Sequence, residues 1–326
     1  MQKSTLQQRL IARPEFGPFV LLIILIIFFA WRSPPFLSQA NISNFFNFLP
    51  EIGIITLGMT LLMTAGEFDL SVGAVFGFTP IVMWTLFNKG GVPFEGALII
   101  AMLLSVVVGA ANGWFVTRLR VPSFLVTLGM QLLVRGIALN ITNGFPQGAW
   151  NAASPIISII VGQFNIGGFR IYMTLIWFIL FAVILGYVLT QTRTGNWIQA
   201  TGGNSGAAMA RGVRVGRIKV QLFILTSVLA AFAGIASSIR VSAANPNSGT
   251  GYELEVIAMV VIGGTALAGG RGTIIGTVIG VLIPRVMQNA VIGIGVGLSY
   301  NIFIGGIILG MMALHSALER RHHSGV

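Results

Sequence analysis

The 326-residue sequence contains no cysteine, only three histidines and a single aspartate. The missing cysteine excludes disulfide bonds and thiolate metal sites. The spacing of His315, His322 and His323 matches no metal site. The sequence also has no nucleophile beside a general base and no Gly-Lys-Ser/Thr sequel of a phosphate-binding loop. These absences argue against an enzyme and against a bound metal or cofactor.

Charge is scarce as well. Charged residues make up 8% of the chain and hydrophobic residues 55%, whereas soluble domains carry roughly 25% charged residues. A chain of this length cannot cover a water-facing surface with so few charges, so lipid must cover much of its outside. The 42 glycines fit this interpretation, because small residues let helices approach closely in a bilayer. We predict an all-α integral membrane protein, a single transmembrane domain over residues 1–326, in the bacterial inner (plasma) membrane.

The net charge of +11 does not indicate a nucleic-acid-binding protein. The basic residues are not gathered in one patch between aromatic residues, as they are in many proteins of that class. They occur in short clusters between apolar runs, which is the distribution expected of loops on the inner side of a membrane. Membrane lipid is therefore an expected partner, and nucleic acid is not.

Ten apolar runs are candidates for membrane spans, which need about 20 residues each. The first run follows basic residues and superficially resembles a signal peptide, but no small-residue cleavage site follows it, so we expect a retained span. The eighth run is short. The predicted spans are 16–34, 47–66, 70–88, 94–117, 122–142, 171–190, 220–239, 253–268, 274–292 and 298–317.

Lysine and arginine are distributed unequally between the two sides that ten spans define. With the N-terminus inside, the inner segments hold thirteen of these residues and the outer segments four. This bias predicts that both termini and the loop 191–219 are cytoplasmic, and that the loop 143–169 is periplasmic. The loop 143–169 is rich in polar residues, glycine and proline, and we expect it to be the longest outer loop.

The loop 191–219 contains a segment with the signs of a short helix. Asn204 and Ser205 are good capping residues, the alanine-rich residues that follow favour helix, and Gly212 fits a helix end. We expect about two turns of helix at 202–212. Two interpretations of this helix are open: a partner protein can grip it, or it can rest on lipid headgroups with its basic residues against anionic lipid.

Three motifs together carry a family resemblance. The first, Gly203-Asn204 followed by Ala207-Ala208 and Gly212, resembles the coupling segment of the ribose-type sugar permeases of ATP-binding-cassette importers. Two further motifs of that family are resembled by Gly66-Glu-Phe-Asp-Leu-Ser-Val-Gly73 and by Gly251-Tyr-Glu-Leu-Glu-Val-Ile-Ala258 with its glycine-rich sequel. Their order and spacing make the resemblance more specific than any one motif, and it covers about residues 40–315.

The chain departs from the family pattern at three positions. Glu67 stands where the family has glycine, Glu255 where it has aspartate, and Arg211 lies two places later than the family's arginine. The residues that the resemblance assigns to ATPase coupling are Gly202, Gly203, Asn204, Ala207, Ala208, Arg211 and Gly212.

The resemblance also implies partners and a solute. It implies a second permease copy, identical or different, two cytoplasmic ATP-binding subunits and a periplasmic sugar-binding protein. The implied solute is a monosaccharide such as a pentose, or a related polyol.

Asp69 is the single aspartate and lies between two apolar runs, two residues after Glu67. An intramembrane carboxylate is costly, so one interpretation is a role in the translocation path. The other interpretation is structural, because Asp69 and Ser71 can cap the start of the third span by accepting hydrogen bonds from free backbone N–H groups. The sequence leaves both interpretations open.

Other polar residues in or beside the predicted spans have the same two interpretations. Glu253 and Glu255 open the eighth span, where acidic side chains suit the helix dipole. The two arginines within apolar runs are expected to face protein or water, where a carboxylate is a suitable partner. The candidates for the path or for structural polar contacts are Glu67, Asp69, Ser71, Arg135, Asn245, Glu253, Glu255 and Arg285, to which Asn112 and Gln131 add polar side chains within spans.

The sequence therefore favours a passive membrane path driven from outside the chain, since it has no nucleotide-binding motif. Sparse charge along the path fits a neutral polyol better than an ion. The alternative is an ion-coupled secondary transporter of a small polar solute, which needs carboxylates deep in spans and discontinuous helices. A membrane enzyme is a third class, for which no catalytic constellation is visible.

Overall fold

The computed structural model describes residues 15–148 and 154–293, together with positions 302, 305, 306, 309 and 310. The described part contains twelve α-helices and a 3-10 turn at Pro34–Leu37. In chain order the helices are α1 Phe16–Arg32, α2 Gln39–Thr64, α3 Val72–Asn88, α4 Phe94–Arg118, α5 Ser123–Thr142, α6 Pro155–Val161, α7 Met173–Gln191, α8 Arg193–Gly203, α9 Ser205–Ala210, α10 Val215–Val241, α11 Tyr252–Ile262 and α12 Ile274–Gly293.

Nine of these helices lie where spans were predicted, and the shortest of them is α11. Six of them, α2, α4, α5, α7, α10 and α12, are long and apolar enough to cross a membrane, while α1 and α3 are apolar but have 17 residues each. The largest difference is at α2, which begins at Gln39 rather than at residue 47. The predicted tenth span, 298–317, lies almost wholly outside the described residues, so the count of ten stays a prediction.

Helices α2 and α10 form the centre of the bundle. Every residue from Leu49 to Ala65 of α2 is buried. Glycines allow the neighbouring helices to approach: Gly109 and Gly113 of α4 pack directly against the backbone of α10, and Gly234 of α10 packs against Phe76 of α3. Because a Cβ atom at these positions would overlap the neighbouring backbone, the spacing of glycines determines how the central helices pack.

Helices α4, α5 and α7 face outwards over most of their surface. Their exposed side chains are large and apolar, which is normal for a surface covered by lipid or by another protein. Examples are Leu103 and Val107 on α4, Leu132 and Leu133 on α5, and Val183 on α7.

The connections between helices gather at two ends of the bundle. At one end, named here the basic end, Gly270 N–H donates to Thr64 O at 2.8 Å, and Lys219 pairs with Glu67. Gly202 also lies against the backbone of Thr64 at this end. The opposite end, named the hairpin end, contains the connection between α5 and α7.

The hairpin end contains two small antiparallel sheets. Strands β2 Gln163–Ile166 and β3 Phe169–Tyr172 form a hairpin whose two turn glycines both have positive φ. Strand β1 Gln147–Gly148 pairs with β4 Ala243–Ala244. The protein is thus mostly helical as predicted, but the expected outer loop 143–169 contains strands and helix α6. This difference arises because alternating polar and apolar residues beside Gly-Gly favour a hairpin.

The predicted eighth span is much shorter than expected. Helix α11 has 11 residues, which makes it about 16 Å long, roughly half the ~30 Å thickness of a bilayer core. The prediction extended to residue 268, but Gly263 ends the helix, and Gly264 and Gly269 adopt positive φ. The apolar run continues past the helix into a turn in which Thr265 is buried but Leu267 and Ala268 are exposed.

Residues 242–251, named here the re-entrant segment, turn back into the bundle after α10. Its first residues pair with Gln147, which accepts a hydrogen bond from Thr85 in the last turn of α3. Gly249 lies instead against Gly73 in the first turn of α3. The segment therefore runs along α3 towards the basic end, and α11 continues from it.

A row of threonines lines the face of α2 that meets α11 and α12. The hydroxyls of Thr56, Thr60 and Thr64 each donate to the carbonyl four residues earlier in α2. Thr60 also shares a hydrogen bond of 2.6 Å with Thr277 of α12. The row is fully buried, and its polar groups are satisfied largely within α2 itself.

Candidate functional site

The segment predicted to couple to an ATPase forms two consecutive helices, α8 and α9, instead of one. Asn204 lies between them and caps α9 as predicted, since its side-chain oxygen accepts Ala207 N–H at 2.9 Å. Helix α8 was not predicted because its glycines and threonines favour helix weakly. It forms because Thr192 caps it and because Ile198 is buried in the core.

Helices α8 and α9, together named the helix pair, present an exposed surface at the basic end. Ala208 is the single buried residue of α9, while Met209 is 58% exposed. Trp197 of α8 is 46% exposed, and Arg211 is exposed just after α9. Gly212, with φ of +84°, ends the turn as predicted. The helix pair is therefore held in place by a few buried residues and shows a mixed apolar and basic surface.

The C-terminal end of α8 meets the bundle through glycines. A Cβ atom at Gly269 would lie 2.8 Å from Gly66 Cα, and one at Gly270 would lie 2.8 Å from Gly203 Cα. A Cβ atom at Gly202 would overlap Thr64 O and Gly270 N. We name these five glycines the glycine crossing. It brings the end of α8, the turn after α2 and the turn after α11 into backbone contact.

Asp69 lies in the turn between α2 and α3, outside both helices, and is fully buried. Its Oδ1 atom accepts the backbone N–H of Ser71 at 2.8 Å and the Ser71 hydroxyl at 2.6 Å. Asn112 donates to the carboxylate and to the Ser71 hydroxyl. Burial raises the pKa of Asp69 to about 6, because loss of solvent outweighs the hydrogen bonds that favour the charged form.

These contacts agree with the capping interpretation of Asp69, and the choice between capping and a role in the path stays a prediction. The carboxylate satisfies the N–H of Ser71, which precedes α3, and Ser71 itself makes no side-chain capping bond to the helix. Neither arginine of the predicted spans pairs with Asp69: Arg135 and Arg285 bind other groups, and no ion pair in the described residues includes Asp69.

Glu67, next to the glycine crossing, pairs with Lys219 of α10. Both side chains are partly exposed, at 13% and 17%. This pair joins the turn after α2 to the first turns of α10, beside the helix pair. Lys219 was counted as a basic loop residue and not as a partner of Glu67, since the two are far apart in sequence.

Arg135 of α5 holds the re-entrant segment. Its Nη1 atom donates to Pro246 O at 2.5 Å and to Ser248 O at 2.7 Å. Glu253 lies close enough to interact with it electrostatically, and Gln131 donates to Glu253 Oε1 at 2.8 Å. The carboxylate that was expected beside Arg135 is therefore present, but the direct hydrogen bonds go to backbone carbonyls.

Glycines of α3 make room for this cluster. A Cβ atom at Gly73 would overlap Glu253 Oε2 and Gly249 O, and one at Gly77 would lie 2.8 Å from Ser248 O. The buried atoms Arg135 Nη2 and Glu253 Oε2 have no hydrogen-bond partner among the described residues. Asn245, also a candidate, turns the chain here, since its Oδ1 atom accepts Asn247 N–H at 2.9 Å.

Two further ion pairs support the bundle around α11. Arg285 of α12 lies 3.4 Å from Glu255 of α11, so these two candidate residues are brought together. Arg240 at the end of α10 donates to Glu51 of α2 at 2.8 Å. Glu51 and Arg240 were missed as site residues. The signal was available, because an isolated carboxylate inside a predicted span requires a partner.

The candidate residues therefore divide into groups rather than lining one site. Glu67 follows Gly66 of the glycine crossing directly, and Asp69 and Ser71 lie further along the same turn between α2 and α3. Arg135 and Glu253 lie at the re-entrant segment, with α11 connecting the two groups.

Comparison with known proteins gives one consistent family. Residues 41–312 match the model of a family described as the permease component of a branched-chain amino acid transport system. The ribose import permease of Escherichia coli K12 is 37% identical over 297 residues, covering 89% of each chain. The ribose import permease of Bacillus subtilis is 34% identical and covers 90% of each chain. No solved structure matches the chain.

A third relative widens the range of organisms. The xylose/arabinose import permease of Sulfolobus acidocaldarius is 32% identical, over 95% of this chain and 87% of the relative. These proteins are named as transport subunits and not as enzymes. The match over most of the chain and the six long apolar helices agree: the chain belongs to this family of transport-system permease components and is a multi-pass inner-membrane transport subunit.

Proposed function

We propose that this chain is the transmembrane permease of an ATP-driven importer, forming part of the translocation path for a monosaccharide or related polyol. In this proposal residues 1–326 form one transmembrane domain. It pairs with a second permease copy and works with two cytoplasmic ATP-binding subunits. A periplasmic binding protein delivers the solute to the hairpin end.

The observation that carries the proposal is the helix pair. Its outer surface is exposed, with Met209, Ala207 and Arg211 available to a partner protein. Its inner surface contacts the bundle backbone to backbone at the glycine crossing. A helix resting on headgroups has no need of such a rigid attachment. A helix that receives force from an ATPase does need it, and this favours coupling over the lipid-resting interpretation.

Substitutions in the helix pair test this coupling. Gly203→Trp, or Arg211→Ala, is expected to leave the protein in the membrane but to abolish both solute uptake and stimulated ATP hydrolysis. Arg120→Ala removes another exposed arginine of the basic end and serves as the control, with uptake expected to be unchanged. Normal transport by both helix-pair variants would favour the lipid-resting interpretation instead.

The proposed orientation puts the basic end in the cytoplasm, on the grounds of the unequal distribution of lysine and arginine. The cysteine-free chain allows a direct test with single cysteines at Ser205 and at Ser154. In intact cells an impermeant maleimide is expected to label the cysteine at 154 and not that at 205. Labelling of position 205 from outside would contradict the orientation.

The proposed solute class rests on the relatives, whose names specify ribose, xylose and arabinose. The family description names branched-chain amino acids instead. The two can be separated by reconstituting the chain with the ATPase and binding protein from neighbouring genes. A pentose, with its binding protein, is expected to stimulate ATP hydrolysis and to enter vesicles, whereas leucine is not. Stimulation by leucine alone would overturn the sugar assignment.

A second candidate, an ion-coupled secondary transporter, is favoured by the half-length helix α11 and by the buried Asp69. The two candidates differ in energy source. Uptake by an ATP-driven importer continues when a protonophore is added at constant ATP. Uptake that follows the proton gradient under these conditions would select the secondary transporter.

A further inference from the structure

Helix α11 is joined to the rest of the chain by glycines in conformations that other residues rarely adopt. Gly249 and Gly251 precede it with φ of +73° and +87°, and Gly264 follows it with φ of +90°. Glycine populates this region at little cost, so the chain can change direction at both ends of the helix. Between these joints α11 is a regular helix that keeps its own shape.

The end of α11 near the hairpin side is held by side-chain hydrogen bonds. Arg135 reaches from α5 to the carbonyls of Pro246 and Ser248 in the re-entrant segment. The two carbonyl oxygens belong to a non-helical stretch, so an arginine that changes rotamer releases the segment without breaking a helix. Their removal therefore changes the position of the segment and not the fold of α3 or α5.

The other end of α11 is joined to the helix pair. The turn after α11 contributes Gly269 and Gly270 to the glycine crossing, where they meet Gly202 and Gly203 of α8. No flexible side chain lies between the two backbones. A displacement of α8 must therefore displace the turn after α11, because close-packed backbone atoms do not compress.

We propose that α11 and the re-entrant segment move as one unit when the helix pair shifts, and that Arg135 is the positioning residue that sets the resting place of the segment. The inference rests on the proposed function, since it identifies the element through which an ATPase partner acts on the path. The glycine crossing is displaced first, and α11 transmits the displacement as a rigid helix. The re-entrant segment then changes its exposure to the path.

A single cysteine at Ser248 reports this movement, because the native chain has none and Ser248 is half-buried. The transporter is assembled with its ATPase and binding protein in proteoliposomes. Maleimide labelling is then measured without nucleotide and with nucleotide trapped by vanadate. The labelling rate at position 248 is expected to be several-fold higher in the trapped state than without nucleotide. A cysteine at Ser158, exposed at the same end, is expected to label equally in both.

Two further variants test the proposed route. Gly202→Ala inserts a methyl group into the glycine crossing and is expected to remove the nucleotide dependence at position 248. Gly216→Ala, which meets only ordinary contact at the same end, is expected to keep it. Arg135→Gln is expected to raise labelling without nucleotide to the rate of the trapped state, and Arg135→Lys to give an intermediate rate.

The outcomes separate this inference from the proposed function. If the unmodified chain takes up no solute with ATP, the proposed function fails. If it transports but position 248 labels equally in both states, the inference alone is wrong. Should Gly202→Ala not assemble, the labelling difference in the otherwise unmodified chain and the Arg135 variants still decide the matter. A nucleotide dependence that persists in an assembled Gly202→Ala protein overturns the route through the glycine crossing.

Discussion

The two ends of α11 are held by different kinds of contact. At the re-entrant segment a guanidinium binds two carbonyl oxygens, and at the glycine crossing backbone packs against backbone. The first contact depends on the chemistry of one side chain, and the second on the absence of side chains. We therefore expect side-chain volume to determine how far a substitution near the basic end destabilises the protein. Near Arg135 we expect charge and hydrogen bonding to determine it.

The largest effect is expected from a methyl group added to the glycine crossing. Gly269→Ala must adopt a left-handed conformation, which costs about 1–2 kcal/mol, and must also push Gly66 away, for which overpacking costs about 1–3 kcal/mol. Gly167→Ala also has positive φ but meets no atom within 4 Å. The midpoint temperature of thermal unfolding in detergent should therefore be much lower for Gly269→Ala than for Gly167→Ala. Equal losses would mean that backbone conformation, and not volume, matters at the crossing.

A smaller effect is expected at the other end. Arg135→Met keeps most of the side-chain volume but removes both hydrogen bonds to the re-entrant segment. A hydrogen bond to a charged group contributes about 1.5–3 kcal/mol. Because both bonds share the single Nη1 atom, we expect the total destabilisation to be about that of one such bond. Arg135→Lys keeps the charge and should recover part of the loss in the same unfolding assay. If Met and Lys are equally destabilising, the fixed geometry of the guanidinium matters and its charge does not.

Asp69 lies three residues after Gly66, in the same turn, but acts through hydrogen bonds. It therefore tests whether hydrogen bonding as well as volume governs the effect of substitutions in this turn. Asp69→Asn and Asp69→Ser can accept the same backbone bond and should retain much of the transport activity. Asp69→Ala should lower the free energy of unfolding by about 1 kcal/mol, as the loss of a capping residue typically does. A stable Asn variant without uptake would contradict the structural role.

The smallest effect is expected from the ion pair at the basic end. Glu67 and Lys219 are both partly exposed, and such pairs contribute about 0–1 kcal/mol. Glu67→Gln should therefore change the free energy of unfolding little, and raising the salt concentration should reduce even that difference. A large, salt-independent loss would mean that this side-chain contact matters as much as the neighbouring glycines do.

The parts of the molecule that follow from local sequence were predictable. Nine helices lie at predicted spans, because the apolar residues that contact lipid or core form long runs in the sequence. The cap at Asn204 was predicted because its bond reaches only three residues ahead. The expected kind of partner for Arg285, a carboxylate, is found in Glu255. Orientation, the tenth span and the roles of the candidate residues stay predictions.

Contacts between distant segments were not predictable from one sequence. Gly66, Gly202 and Gly269 meet although they lie in three separate motifs. A glycine in the sequence does not indicate which distant backbone packs against it. The end of α11 was missed because Gly263 is followed by residues that are just as apolar as the helix. The partner of Arg135 was missed because it is a pair of backbone carbonyls, which every residue possesses.

The threonine row of α2 affects how easily neighbouring helices can shift along α2. Because each of its three hydroxyls is satisfied by a carbonyl of its own helix, a neighbour can slide along this face without stranding a buried polar group. Among the described residues, the hydroxyls of the row connect to α11 and α12 through the hydrogen bond between Thr60 and Thr277 and a long contact from Thr56 to the Met259 sulfur. The polar face of α2 thus allows neighbouring helices to shift along it while its own hydrogen bonds stay intact.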